Sequence, residues 1–321
     1  MKIKTKKVVF KSDNILVERR LKYKGSIFAK VGESVNVFDI LGKGYKLSEL
    51  IELPSSVAGY LEIGDTIKNG DTIKMPGAKG IMHSKKYPVN FDGVVYKKDK
   101  DKVTIGSYPA EHQLISGVVG EVVKVIPEKS VLIKSQGTVI EGGFGLGESE
   151  FGELRMVVSA TNITEALEGK IVVYADVISR DVIDRLLNCG VKGIVTGGLQ
   201  VTDQKYLVEK GMPFVVIYGF GDIAIDVSLV LRLSEFQNRF VYLRPGVSQV
   251  FLPEKIEKQS DVTEFVDLEI GLSIVCISTS NFGKYGKVEQ ILEGGMVRVN
   301  FFDDKKKGNC MFYELIHPLI S

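Results

Sequence analysis

Two glycine-bearing turns in the middle of the chain are the residues best placed to do chemistry. They are Thr196-Gly197-Gly198 and Gly219-Phe220-Gly221-Asp222, with Asp176 some twenty residues earlier in the same pattern. Backbone amides without a Cβ beside them can approach an anion closely. Asp176, Thr196, Gly197, Gly198, Gly219, Gly221 and Asp222 are therefore the candidate small-ligand site. The same glycines have a plainer use, which is to let the chain turn where a Cβ would clash. There is no GxxxxGK[ST] loop, and no strand runs into GxGxxG and a helix within one βαβ unit. No cofactor is assigned.

The elements that must position these turns lie in residues 169–221. Residues 171–174, 193–195 and 214–217 are short β-branched runs without polar alternation, the pattern of strands buried on both faces. Between them Ser179 is placed to cap a helix with Val182, Ile183, Leu186 and Leu187 on one face, and Gly190 is its stop signal. Thr202 and Gly211 bracket a second helix. The resulting strand–helix–strand series predicts a parallel sheet, whose ligands sit outside the carboxyl ends of the strands. Residues 223–237 predict a covering helix, and RFVYLRP a further strand ending at Pro245.

The rest of the chain offers little reactive chemistry. His83 and His112 stand apart, and no nucleophile–base pair or metal cluster is apparent, so no catalytic residue and no metal ligand is assigned. Cys189, Cys276 and Cys310 are scattered without CxxC, which argues against a disulfide framework or a zinc site. Residues 141–154, EGGFGLGESEFGEL, are glycine-dense, but Glu148, Glu150 and Glu153 would repel a phosphate; the stretch reads as a hinge.

Composition sets the outer bounds. The 321 residues suffice for two or three domains of about 100–150 residues. With 44% hydrophobic and 26% charged residues the chain is an ordinary globular one, and a net charge of +2 gives no bulk attraction for nucleic acid. No apolar run approaches the ~20 residues that span a bilayer, and the basic start lacks the apolar core of a secretory signal, so the expected address is cytoplasmic. Residues 1–24 hold nine Lys/Arg against two Asp/Glu, a local basic run able to touch nucleic acid. Residues 8–10 and 15–19 predict an antiparallel pair around the turn-rich Ser12-Asp13-Asn14.

Three stretches carry family resemblances. GSIFAKVGESVNVFDILGKG (25–44) and GYLEIGDTIKNGDTIKMPG (59–77) resemble the barrel-sandwich hybrid modules of biotinyl and lipoyl carriers and of the Rnf electron-transport complex C subunit. In a carrier a hairpin lysine would be modified. Lys74 precedes Met75 here, but Pro76 follows and the flanks do not match, so the hairpin reads as a spacer. SGVVGEVVKVIPEKSVLI (116–133) resembles half of the same fold, with Val122, Val125, Val131 and Ile133 as core. Residues 271–318 resemble a KOW motif on an SH3-like barrel, as in ribosomal proteins and the transcription factor NusG. That resemblance implies RNA or protein contacts, with Lys284, Tyr285, Lys287, Lys305, Lys306 and Lys307 as contact residues. Asp303 and Asp304 also allow the last three lysines to be a solvated hairpin tip.

The whole series is similar to an uncharacterised bacterial multi-domain family. The expected fold is multi-domain α/β plus β: hybrid-like β modules at 1–155, a parallel-sheet α/β domain at 156–245, and a linker with an SH3-like KOW barrel at 246–321. The expected function is that of a non-catalytic binding or scaffold protein docking RNA, a ribonucleoprotein or a protein partner. The alternatives are an enzyme or small-molecule sensor using the central turns, and a structural component of a redox or membrane-associated complex.

Overall fold

The computed structural model describes all residues except 47–48, 75–85, 109, 254–263, 279, 303–306 and 320–321. His83, Met75 and Pro76, Lys305 and Lys306, and most of the expected linker lie outside the described residues. The protein is mostly β, with 51% strand and 16% helix among the described residues, in several sheets. The chain divides into a larger unit (1–17, 117–120 and 134–321) and a smaller one (18–116 and 121–133).

The larger unit contains the expected parallel sheet. Glu150–Val157, Ile171–Tyr174, Gly193–Leu199 and Phe214–Phe220 run parallel in that spatial order. Antiparallel strands flank them: Phe144–Leu146 beside Phe214–Phe220, and Phe240–Arg244 beside Glu150–Val157. Strict alternation divides the buried side chains between two faces. Val172, Tyr174, Ile194, Phe214 and Val216 meet Ile183, Leu186 and Leu207 of the helices Arg180–Asn188 and Val201–Glu209. Ile171, Val173, Val195, Val215 and Ile217 instead meet Leu229 and Leu233 of the helix Val227–Ser234. Burying a Val, Leu, Ile or Phe side chain of this core contributes about 1.5–3 kcal/mol. Asp226 caps the last helix, its Oδ1 accepting from the Ser228 amide at 2.8 Å. Ser179 stands at the cap of Arg180–Asn188, but its side chain makes no capping hydrogen bond.

The same unit also holds a seven-stranded sheet, in the order Phe265–Asp267, Lys2–Lys7, Leu315–Leu319, Ser273–Cys276, Tyr285–Ile291, Met296–Phe301, Lys307–Met311. The start of the chain thus lies between two of its last strands, antiparallel to one and parallel to the other. The boundary expected at 155 does not separate these residues, because Ile3 packs with Leu268, Ile274, Val297, Val299 and Leu315 in one core. Nor do residues 8–20 form a hairpin. Val9–Arg20 is one continuous strand through Ser12-Asp13-Asn14, in which Ile15 and Val17 keep the buried alternation going.

The smaller unit is built from a repeated local device. In Lys30-Val31-Gly32-Glu33, Glu62-Ile63-Gly64-Asp65 and Lys68-Asn69-Gly70-Asp71 the fourth amide donates to the first carbonyl at 3.0–3.1 Å. The carboxylate of the fourth residue accepts from the first amide at 2.8 Å in all three. The third residue is a glycine at φ +86°, +99° and +91°, as a turn with positive φ at its third position demands. Each turn then grips a valine of another segment, Val122, Val95 and Val89 respectively. The glycine amide donates to that valine's carbonyl, and its amide donates back to the carbonyl of the acidic residue. Val35, Ile67 and Ile73, two residues beyond each turn, are buried.

Candidate functional site

The parallel sheet brings the predicted turns together at the carboxyl ends of its strands, but their glycines are filled by the chain's own backbone. A Cβ on Gly197 would lie 2.5 Å from the Ile223 carbonyl oxygen, and one on Gly198 would lie 2.4 Å from that of Gly221. The segment 221–225 therefore occupies the space over the strand ends that an anion would need. The Thr196 hydroxyl is buried and donates to the Gly198 carbonyl at 3.3 Å. Asp176 is exposed, with Oδ1 accepting from the Val177 amide at 2.7 Å, and Asp222 accepts from Gln200 Nε2 at 2.8 Å. Gly197 and Gly198 serve close packing, and the two carboxylates are engaged by the Val177 amide and the Gln200 side chain.

Gly219 has a role that its place in the sequence does not reveal. A Cβ there would sit 2.1 Å from the Gly283 carbonyl oxygen, and the Phe220 amide donates to that same carbonyl at 3.1 Å. Phe220 and Lys284 form a lone parallel β-bridge. The end of the parallel sheet and the expected contact loop of the seven-stranded sheet are thus joined through backbone.

That joint corrects the role expected of Tyr285. Tyr285 is only 9% exposed and its ring stacks on Tyr218 (centroids 5.0 Å apart) and Phe302 (5.6 Å), so it has no open face to offer a base. Tyr218 accepts at its hydroxyl from the Asp226 amide at 3.0 Å, and burial raises the pKa of both tyrosines above the usual phenol range. Lys284 extends over the Phe301 ring, Nζ to centroid 5.7 Å. Lys287 is exposed, and Lys307 is ion-paired with Glu289. Lys305 and Lys306 fall outside the described residues.

Two other surface features emerge only from the fold. In Lys2–Lys7, Ile3 points inward and Lys2 and Lys4 point outward, so these two lysines of the basic amino-terminal run lie on the outer face of the seven-stranded sheet. Lys4 is in register with Phe265 on one side and Ile316 on the other, and Phe265 is 52% exposed. The KIKTKK alternation is legible in the sequence, but its partner 260 residues away is not. At one end of the sheet Ile277, Phe282 and Tyr313 are exposed, and Ile277 donates its amide to the Glu314 carbonyl at 2.8 Å.

Among the described residues no group of three or more His, Cys, Asp or Glu side chains could hold a metal ion, and no helix is long and apolar enough to cross a membrane. His112 lies against Tyr23, and His317 Nδ1 contacts the Ser273 carbonyl at 2.7 Å. No protein-family model matches the chain, and no curated protein matches it.

Proposed function

We propose that the chain is a non-catalytic binding or scaffold protein that docks single-stranded RNA, free or within a ribonucleoprotein, on the outer face of its seven-stranded sheet. In this reading that sheet is an SH3-like barrel of the KOW kind, and the smaller unit is a barrel-sandwich hybrid serving as scaffold. The observation that carries the reading is the register of Lys4 with the exposed Phe265, with Lys2 on the same face. Lysines neutralise phosphates, and an exposed aromatic ring beside them offers a stacking platform for a base. The strand Lys2–Lys7 pairs with Phe265–Asp267 and Leu315–Leu319, which supports reading the first lysines and the tail as one surface.

Titration of the full chain with fluorescent single-stranded RNA at several salt concentrations tests this. Binding should weaken steeply with salt. Lys2→Ala with Lys4→Ala should shallow the log–log slope by about 0.7 for each phosphate no longer neutralised. Phe265→Ala should cost on the order of tenfold or more in affinity, the worth of one stacked base. Absence of binding at low salt, or binding indifferent to all three substitutions, rejects the proposal.

A second reading rests on a different surface. Ile277, Phe282 and Tyr313 present apolar side chains at one end of the same sheet, which fits a protein partner better than a phosphate backbone. Binding to a ribonucleoprotein that survives high salt but is abolished in Phe282→Ala with Tyr313→Ala would favour it.

A further inference from the structure

Two cysteines that look unrelated in sequence meet inside the seven-stranded sheet. Cys276 ends the strand Ser273–Cys276 and Cys310 lies in Lys307–Met311, strands separated in the sheet by two others. Their sulfurs are 3.0 Å apart, well inside the ~3.5–4.0 Å of ordinary heavy-atom contact, and both side chains are buried. Their surroundings are not wholly apolar. The Ser278 hydroxyl lies 3.2 Å from Cys276 Sγ, and Asn281 Nδ2 lies 3.8 Å from Cys310 Sγ. Both polar residues belong to the short loop after Cys276 that carries the exposed Ile277 and Phe282, so the sulfur pair sits just beneath a partly exposed polar loop.

We infer that Cys276 and Cys310 are a reversible oxidation site, a dithiol that a hydroperoxide converts to an intramolecular disulfide across the interior of the sheet. The two thiols are inequivalent. The hydrogen bond from Cys310, helped by Ser278, holds the Cys276 pKa down to about 6, whereas donating that bond and burial push that of Cys310 up. Glu314 is the charged group nearby, and it opposes ionisation of both. In the proposed step Cys276, whose sulfur lies 3.2 Å from the Ser278 hydroxyl, attacks and Cys310 resolves.

In the first step Cys276 Sγ attacks one peroxide oxygen and the O–O bond breaks. Hydroxide leaves and takes up the proton that Cys276 lost, giving one water and Cys276 sulfenic acid. Cys310 Sγ then attacks Cys276 Sγ, and the S–O bond breaks. The displaced hydroxide leaves as a second water with the Cys310 proton. Two thiols are oxidised by two electrons in total, and one hydrogen peroxide is reduced to two waters.

Oxidation at this pair is independent of RNA binding. It is tested on the reduced, folded full chain, which has three cysteines. The chain is treated with hydrogen peroxide, quenched, denatured, alkylated with N-ethylmaleimide and weighed. Three adducts before treatment should fall to one afterwards, with loss of two hydrogens and a peptide linking Cys276 to Cys310. Cys189→Ser should then show no adduct, and dithiothreitol should restore every thiol. The oxidised chain should melt roughly 5 °C higher than the reduced one, a gain that disappears with dithiothreitol and in Cys310→Ser. Three adducts persisting after peroxide, oxygen added to Cys276 without a crosslink, or a crosslink formed only in urea would each overturn the inference. These outcomes are read on the wild-type chain, so a serine variant that fails to fold leaves the test intact.

Discussion

Two sets of glycines, one in each unit, do opposite work. At Gly32, Gly64 and Gly70 of the smaller unit φ is positive and nothing lies within 4 Å of the position a Cβ would take. These residues are needed for their backbone angle alone. At Gly197, Gly198 and Gly219 of the larger unit φ is not positive, and the missing Cβ is replaced by a carbonyl oxygen of another segment at 2.1–2.5 Å. Those residues are needed for their lack of volume. A glycine-rich string therefore has at least two physical meanings before any phosphate is invoked, and only neighbours in space distinguish them.

The largest effect should come from the joint between the two sheets of the larger unit. Gly219→Ala pushes a methyl into the Gly283 carbonyl, which is backbone and yields little. A loss of about 3 kcal/mol or more is expected in urea unfolding. A loss below about 1 kcal/mol would mean that the backbone is not tightly packed at this joint.

Next come the turns. Gly70→Ala has open space but the wrong backbone preference, and should cost about 1–2 kcal/mol. Gly70→Asn should recover much of that loss, because asparagine tolerates positive φ. No such rescue is expected at Gly198, where the obstruction is the Gly221 carbonyl and the Ile223 side chain. Equal behaviour of the two asparagine variants in thermal melts would erase the distinction between angle and volume.

A smaller effect, about 1 kcal/mol, is expected for Asp71→Ala, which removes the carboxylate that closes one turn onto the Lys68 amide. The Val89 backbone bonds it supports should then show faster amide exchange than the equivalent bonds of Val95.

The smallest effect is a pH dependence. The hydrogen bond from Lys170, with the nearby Arg155, holds the Glu153 carboxyl below its usual range. A depressed folded-state pKa means stability that is present above the ordinary carboxylate pKa and is lost as pH falls through the folded value. Glu153→Gln should therefore lower the melting temperature at pH 7 and flatten its decline in acid. Parallel wild-type and variant curves from neutral to acid pH would count against this role of the pair.

Much of this architecture is legible in the sequence because it is written locally. The β-branched runs at 171–174, 193–195 and 214–217 form parallel strands, and Gly190 and Gly211, at φ +70° and +66°, end the two helices between them. The acidic residue that follows each turn glycine in the smaller unit is visible as a cadence, because a turn closes within four residues. The expectations that fail are those that need partners far away. Ser12-Asp13-Asn14 has turn chemistry but lies within a strand, since the buried alternation of Ile15 and Val17 outweighs local preference.

By itself, then, the sequence determined the turns, the helix limits and the parallel core, because each follows from periodicity or from one residue's allowed angles. Only the tertiary structure decided that Lys2–Lys7 belongs with the last strands and that Tyr285 packs on Tyr218. It also decided that a carbonyl fills the space beside Gly219, and that Cys276 meets Cys310. Each of these is a choice between distant segments, made by which buried faces fit together. No spacing along the chain records that choice.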